Sequence, residues 1–267
     1  MFYFLLILWG FFIGNLVGLT GIGAGSMSTA GLLLLFHLDP AVVVSANLIN
    51  GTLMKTVGTV KHFKHDHPQV DLAIPFLVGG IPASIGASFL SGFLPKALFR
   101  ATIGGILVFV ALLILWEAWY LPKSTQEYGN ENGNGNGNNI GTKKKILAFF
   151  SGTLMGLISG LTSIGTGSII IAVLLVVIRL KPKYAVGTAV LEGAILLGVG
   201  ALSHILAGHA DFRIAFLLLI GSIPGIWLGS HYCAKAPDKF LRVAISVLLI
   251  YAGGKMVLDY FTVAFHV

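Results

Sequence analysis

The chain has 267 residues, with 17 Lys+Arg against 10 Asp+Glu and a net charge of +7. Charged residues make up 10% of it and hydrophobic residues 56%, where a soluble domain carries about 25% charged residues. With a mean hydropathy of +0.91, the composition excludes a water-soluble globule and an intrinsically disordered chain. The 35 glycines follow no three-residue period, which excludes a collagen-like chain. What remains is an all-α polytopic membrane protein, because a membrane barrel would show alternating segments of about ten residues rather than long unbroken apolar runs.

In chain order, the first apolar run spans 2–37 and carries a glycine cluster at 18–25. About 20 residues cross a bilayer, so this run is too long for one crossing and too short for two. It reads as a helix, a break and a shorter second helix. Met1–Phe12 has no basic leader and no clear cleavage site, so it reads as part of the fold rather than as a signal peptide. Runs of ordinary length follow at 41–61, 72–93 and 98–119. Residues 121–145 form an Asn/Gly-rich linker ending in Lys143-Lys144-Lys145; nothing in it can bury apolar area. The pattern then recurs. An overlong run at 146–178 has its glycine cluster at 160–167, and shorter runs occupy 184–206, 212–232 and 240–258.

The recurrence is an internal repeat. Shifted by 142 residues, the sequence matches itself without a gap, with more than two dozen identities between residues 10 and 107. Gly18-Leu19-Thr20-Gly21-Ile22-Gly23-Ala24-Gly25-Ser26 falls on Gly160-Leu161-Thr162-Ser163-Ile164-Gly165-Thr166-Gly167-Ser168. Pro40, Gly51, His62, Pro82 and Arg100 fall on Pro182, Gly193, His204, Pro224 and Arg242. The expected organisation is a first transmembrane repeat at 1–120, the linker at 121–145 and a second repeat at 146–267.

Charge selects the topology. If each broken run folds back, the two repeats are inverted relative to one another. Twelve Lys and Arg then lie on the linker's face and four on the other, with Lys55 inside a span. If each run crosses once, the division is eight and eight. The positive-inside rule prefers the inverted arrangement and a cytoplasmic linker. Inverted repeats with broken helices are a sequence pointer to a secondary transporter whose site lies where the breaks meet. The clustered Lys and Arg set topology in this reading, and nucleic acid is not an expected partner. Cys233 is the sole cysteine, so neither an intrachain disulfide nor a cysteine-cluster metal site can form.

Irregular backbone at membrane depth is tolerated only where it is covered or lines a cavity. A helix start offers free N–H groups and partial positive charge, which attract anions. The candidate binding residues are therefore Thr20, Gly23, Gly25, Ser26, Thr162, Gly165, Gly167 and Ser168, with Asn50 from the following helix. The competing reading is that Gly and Ser there only allow close helix packing. Glu192 occupies the position of Asn50 in the second half. A carboxylate within a span is costly and needs a partner or a proton, so Glu192 is a candidate for proton coupling or for a structural pair. Lys55 adds positive charge to an anion path, or else snorkels to the cytoplasmic end. His62, His65 and His67 suggest loop or helix-end histidines rather than a metal site, because the second half keeps only His204 and His209.

Four stretches resemble the TauE/SafE sulfite-exporter permeases: the Gly-Leu-Thr-Gly/Ser-Ile-Gly-x-Gly-Ser motif, the Leu-x-Pro after it, Asp211-Phe212-Arg213, and the Ile-Pro-Gly-x-x-x-Gly of 223–229. The resemblance covers nearly the whole chain. It implies an integral membrane protein that moves sulfur-containing and related small organic anions. It places Gly21, Gly23, Gly25, Gly165 and Gly167 at the family's glycine motif, where consecutive glycines often stand; here Ala24 and Thr166 interrupt them. The expectation is a secondary transporter of sulfite, another sulfur oxyanion or an organosulfonate in the plasma membrane. It uses alternating access and involves no metal or organic cofactor. The alternatives are an anion channel or an anion-binding sensor or assembly subunit. No matched nucleophile and base, or metal set, suggests an enzyme.

Overall fold

The computed structural model describes residues 1–20, 23–65, 68–120, 141–178, 180, 182–232 and 238–265. Every regular element among them is helical. They are α1 (Phe2–Thr20), α2 (Ala24–Leu34), α3 (Pro40–His65), α4 (Val70–Ser91), α5 (Lys96–Tyr120), α6 (Thr142–Thr162), α7 (Ser168–Ala172), α8 (Pro182–Leu206), α9 (Phe212–Tyr232) and α10 (Asp238–Phe265). A π-helical segment, Val173–Val177, continues α7. Proline at the first position of α3 and of α8 supplies a fixed φ where no N–H is needed. The expected linker overran by a few residues. Lys143, Lys144 and Lys145 form the exposed first turn of α6, since lysine is a good helix former and Ile146 onward supplies the apolar stretch.

Among the described residues seven helices are long and apolar enough to cross a membrane, and the chain is a multi-pass membrane protein. The 26-residue α3 is less apolar, because Asn47, Asn50 and Lys55 interrupt it.

Both overlong runs break where the glycines cluster, between Thr20 and Ala24 and between Thr162 and Ser168. After the first break the chain turns back. The Phe36 ring lies 5.9 Å from the Phe2 ring, and Gly31 lies against the Trp9 indole, so α2 runs antiparallel to α1. Arg100 of α5 donates from Nη2 to the Leu33 carbonyl at 2.9 Å, satisfying one of the orphan acceptors at the end of α2.

The two halves are interleaved through four helix pairs. Gly10, Gly14, Gly221, Gly225 and Gly229 bring α1 and α9 together in parallel, backbone against backbone. Gly152, Gly156 and Gly160 do the same for α6 against Phe76, Gly80 and Ser84 of α4. Helices α3 and α8 cross antiparallel, with Gly51 beside Leu197 and Gly200 beside Leu48, and α5 pairs with α10 around Gly104 and Gly253. Apolar side chains are as well solvated by lipid as by one another, so such helices associate through close packing of small residues.

Candidate functional site

The two breaks meet. The backbone N–H of Gly167 lies beside Gly23, and the carbonyl of Ser163 lies against Gly25, leaving no room for a side chain at Gly25. Neither α2 nor α7 has a side-chain cap at its start. The breaks are not identical in conformation. Gly165 has φ +94°, open only to glycine without strain, whereas Gly23 has φ −54°. Ser163 ends α6 in the left-handed region at φ 60°, at the position where the first half has Gly21. Local hydrogen bonds hold it there. Its Oγ donates to the Thr162 carbonyl at 2.5 Å and lies 3.3 Å from Thr29 Oγ1.

Where the breaks meet, a cavity of about 200 Å³ opens between α3 and α8. Gly23, Ala24 and Gly25 line it from the first break, and Ser163, Thr166 and Gly167 from the second. Asn47, Gly51, Met54 and Lys55 of α3 face Ala189, Val190 and Leu197 of α8 across it. Ser26 and Gly165 border an adjoining crevice.

Lys55 is the charged side chain lining this cavity. Its ammonium lies against the Cα of Gly193 and donates to the carbonyl of Thr166. It reaches across to α8 rather than along α3 to a helix end, so the snorkelling alternative does not describe it. A Cβ at Gly193 would collide with the Lys55 Nζ, so the bare backbone there admits the lysine. The corresponding contact on the other side of the α3–α8 crossing is Leu197 against Gly51.

The remaining expected residues are dispersed. Thr162 Oγ1 donates to the Ile158 carbonyl at 2.6 Å, so its hydroxyl serves its own helix end. Asn50 is buried facing α9, where Ser222 Oγ donates to its Oδ1 at 3.1 Å. Glu192 is fully buried, and neither carboxyl oxygen has a hydrogen-bond partner among the described residues. Thr20 and Ser168 stand at the edges of the two breaks, and their side chains lie outside the described residues, as do those of His62, His65 and His67.

Sequence reasoning left out a polar chain beside the cavity. Ser28 Oγ donates to Asn47 Oδ1 at 2.7 Å, and Asn47 Nδ2 donates to Thr29 Oγ1 at 2.9 Å, which in turn reaches Ser163. It ties α2, α3 and the second break into one unit. The signal for it in the sequence is Asn47 inside an apolar span, together with the hydroxyls Ser28 and Thr29 in α2. Which of these side chains meet depends on how α2 packs on α3. Elsewhere, the fully buried His204 lies 3.0 Å from the Gly160 carbonyl through Nε2, and its ring lies 5.7 Å from that of His209, tilted by 57°. No group of three or more metal-ligating side chains occurs among the described residues.

Membrane-spanning helices around an internal cavity with broken backbone on two sides define a membrane transport protein. The chain belongs to the TauE/SafE sulfite exporter family, which it matches over residues 6–256. Three relatives come from Bacillus subtilis (strain 168). "Probable membrane transporter protein YjnA" is 27% identical over 262 residues, covering 94% of this chain and 98% of the relative. "Probable membrane transporter protein YdhB" is 27% identical over 252 residues, covering 93% and 98%. "Probable membrane transporter protein YunE" is 21% identical over 276 residues, covering 97% and 98%. No solved structure matches the chain.

Proposed function

We propose that this membrane transporter is a secondary transporter of a small anion: sulfite, another sulfur oxyanion or an organosulfonate. The observation that carries the reading is the cavity at the junction of the two breaks, with the Lys55 ammonium in its wall. A cation and backbone amides not capped by side chains form an anion site when they converge in a space screened from water.

The repeats at 1–120 and 146–267 are inverted in this reading. The parallel pairing of α1 with α9 and of α4 with α6, together with the antiparallel crossing of α3 and α8, supports it. Rocking of one repeat against the other then exposes the cavity to alternate faces. Glu192 carries the coupled proton. Its support is its burial inside a span without a hydrogen-bond partner among the described residues, since a carboxyl so placed needs a proton or a charged partner. The chain performs no covalent chemistry on its cargo.

Flux into proteoliposomes tests the proposal. Sulfite or a short sulfonate should enter with saturable kinetics and exchange against the same anion preloaded inside. Linear, non-saturating flux without exchange would favour an anion channel, and binding without flux would favour a sensor.

A further inference from the structure

We infer that His204 and His209 form a proton-operated gate between the central cavity and a pocket on the face opposite the linker. The inference rests on the alternating-access reading above and assigns the outer of its two gates.

The end of α8 builds the gate. Gly208, at φ +76°, ends the helix in the left-handed region. The Gly208 N–H donates to the Ile205 carbonyl, and the His209 N–H donates to the His204 carbonyl at 3.0 Å. This pattern folds the chain back, so that the residue after the glycine meets the last turn of its own helix. The residue it meets is His204, and the two rings lie 5.7 Å apart. The turn is fastened to the first repeat at two points. The His209 carbonyl accepts a hydrogen bond from Ser45 Oγ of α3 at 3.0 Å. The His209 ring packs on Gly92 at the end of α4, where a Cβ would collide with it. Helix α4 runs parallel to α6, so its end lies on the face opposite the linker.

On one side of this turn, Asp39, Val42, His209 and Arg213 line an open pocket of about 720 Å³. On the other side, Asn47 and Leu197 line the central cavity. Along α3 only residues 43–46 separate the two spaces, a span of about 7.5 Å from Val42 to Asn47 at about 1.5 Å per residue. Leu48 packed on Gly200, together with the buried His204 ring, fills the α8 side of this short barrier.

A carbonyl only accepts, so the His204 Nε2, 3.0 Å from the Gly160 carbonyl, carries the hydrogen of the neutral ring. Its Nδ1 is then a bare acceptor. That atom and the His209 Nδ1 are both buried without a hydrogen-bond partner among the described residues. The charged groups around the turn all belong to the pocket: Asp39 with its partner Lys96, and Asp211 and Arg213 at the start of α9. Helices α4 and α6 present only the Ser88 hydroxyl and the Gly160 carbonyl it donates to, at 3.2 Å. A buried charge needs a partner or water, and the closed turn gives an imidazolium neither. Lifting the turn off Ser45 and Gly92 exposes the rings to water and to Asp39 and Asp211, and it joins the pocket to the cavity. A proton taken from water in the pocket therefore opens the gate, and its return to that water closes it. Histidine ordinarily changes charge between about pH 5 and 8, so mild acid outside is sufficient.

The test measures reach into the cavity from outside intact cells. With Cys233 replaced, Met54→Cys puts a thiol in the cavity wall, and Phe93→Cys puts one on the exposed turn after α4. A membrane-impermeant thiol reagent is applied at pH 7.5 and at pH 5.5. The Met54→Cys rate is divided by the Phe93→Cys rate at the same pH, which removes the pH dependence of thiol chemistry. The ratio should rise about tenfold on acidification, where one linked proton allows at most about a hundredfold over two pH units. His209→Gln and His204→Gln should each flatten this response. If His204→Gln does not reach the membrane, His209→Gln alone decides, because its ring lies outside the helix. A ratio independent of pH with both histidines present would overturn the gate while leaving transport standing. An undiminished response in the glutamine variants would overturn the role of the histidines. Failure of Phe93→Cys to react from outside would overturn the placement of the gate on the outer face. The transport reading itself falls only if the proteoliposome assay shows no saturable flux.

Discussion

Asn50 and Glu192 hold the same position in the two halves of the chain, yet their surroundings differ: Asn50 accepts a hydrogen bond from Ser222 at 3.1 Å, and Glu192 has no such partner among the described residues. The shift that relates Asn50 to Glu192 relates Ser222 to Gly80, which has no hydroxyl to give. Equivalent positions of the repeat thus place an amide in a satisfied site and a carboxyl without a partner among the described residues. If the carboxyl carries a proton through the transport cycle, Glu192→Gln should abolish uptake driven by a pH gradient while leaving anion binding intact. Gradient-driven uptake at the unmodified rate in Glu192→Gln would remove the proton-carrying role.

The contact between the breaks gives a second expectation. Gly25 lies against the Ser163 carbonyl with no space for a methyl group, whereas Gly86 on the exposed side of α4 has nothing within 4 Å of where its Cβ would stand. Gly25→Ala should push the breaks apart and weaken anion binding at least tenfold. Gly86→Ala should leave both binding and Tm unchanged. Titration of both variants with sulfite, read by thermal stability, makes the comparison, and equal behaviour of the two would dismiss the break contact as a determinant of the site.

Helix packing offers a third. Gly156 of α6 sits directly on the Gly80 carbonyl of α4. Gly156→Leu overpacks this contact, and overpacking a tight interior costs about 1–3 kcal/mol. The loss should appear as a lower unfolding temperature in detergent. Leucine at Gly105, which has open space around it, is the control and should cost nothing measurable.

A fourth concerns pH on one face of the molecule. Asp39, in the turn between α2 and α3, pairs with Lys96 at 2.6 Å and accepts the Ala41 N–H at 3.0 Å. Partial burial pushes its pKa up, but the hydrogen bonds from Lys96 and Ala41 and the charges of Lys96 and His209 outweigh it and hold the carboxyl below the usual aspartate range. A lowered carboxyl pKa contributes stability that is fully present above the unfolded-state value, about 3.9, and is lost as pH falls through the folded value. The unmodified protein should therefore have a slightly higher Tm than Asp39→Asn at pH 7, with the difference shrinking as the pH falls below about 3.9. The effect is small because Lys96 is exposed to solvent. A difference that does not shrink on acidification would show that the pair is not its source.

The arrangement of the repeats is open to labelling in intact cells. With Cys233 replaced, a cysteine at Asn134 should resist a membrane-impermeant reagent and one at Lys96 should react. Labelling at Asn134 from outside would overturn the cytoplasmic linker and the inverted repeats with it.

Much of this molecule is written in one dimension. Composition alone gives a helical membrane protein, because lipid demands that each spanning segment satisfy its own backbone hydrogen bonds. The 142-residue shift and the glycine clusters locate both breaks to within a few residues, since closely spaced glycines weaken a helix. The motifs also suffice for the family. The tertiary structure decided which polar groups share a space. Lys55 and Glu192 are both one-letter signals of an ionisable group inside a span, but one lines the cavity and the other is buried beside it, a distinction set by the rotation of α3 against α8. Asn50, the expected ligand, turns to Ser222, and Asn47, one helical turn away, takes the place at the cavity. A sequence fixes the order of side chains around a helix. It does not fix which face meets which neighbour, because in lipid that choice rests on close contacts between backbones, and those are made by glycines whose partners lie far away in the sequence, as Gly156 and Gly80 or Gly14 and Ser222 do.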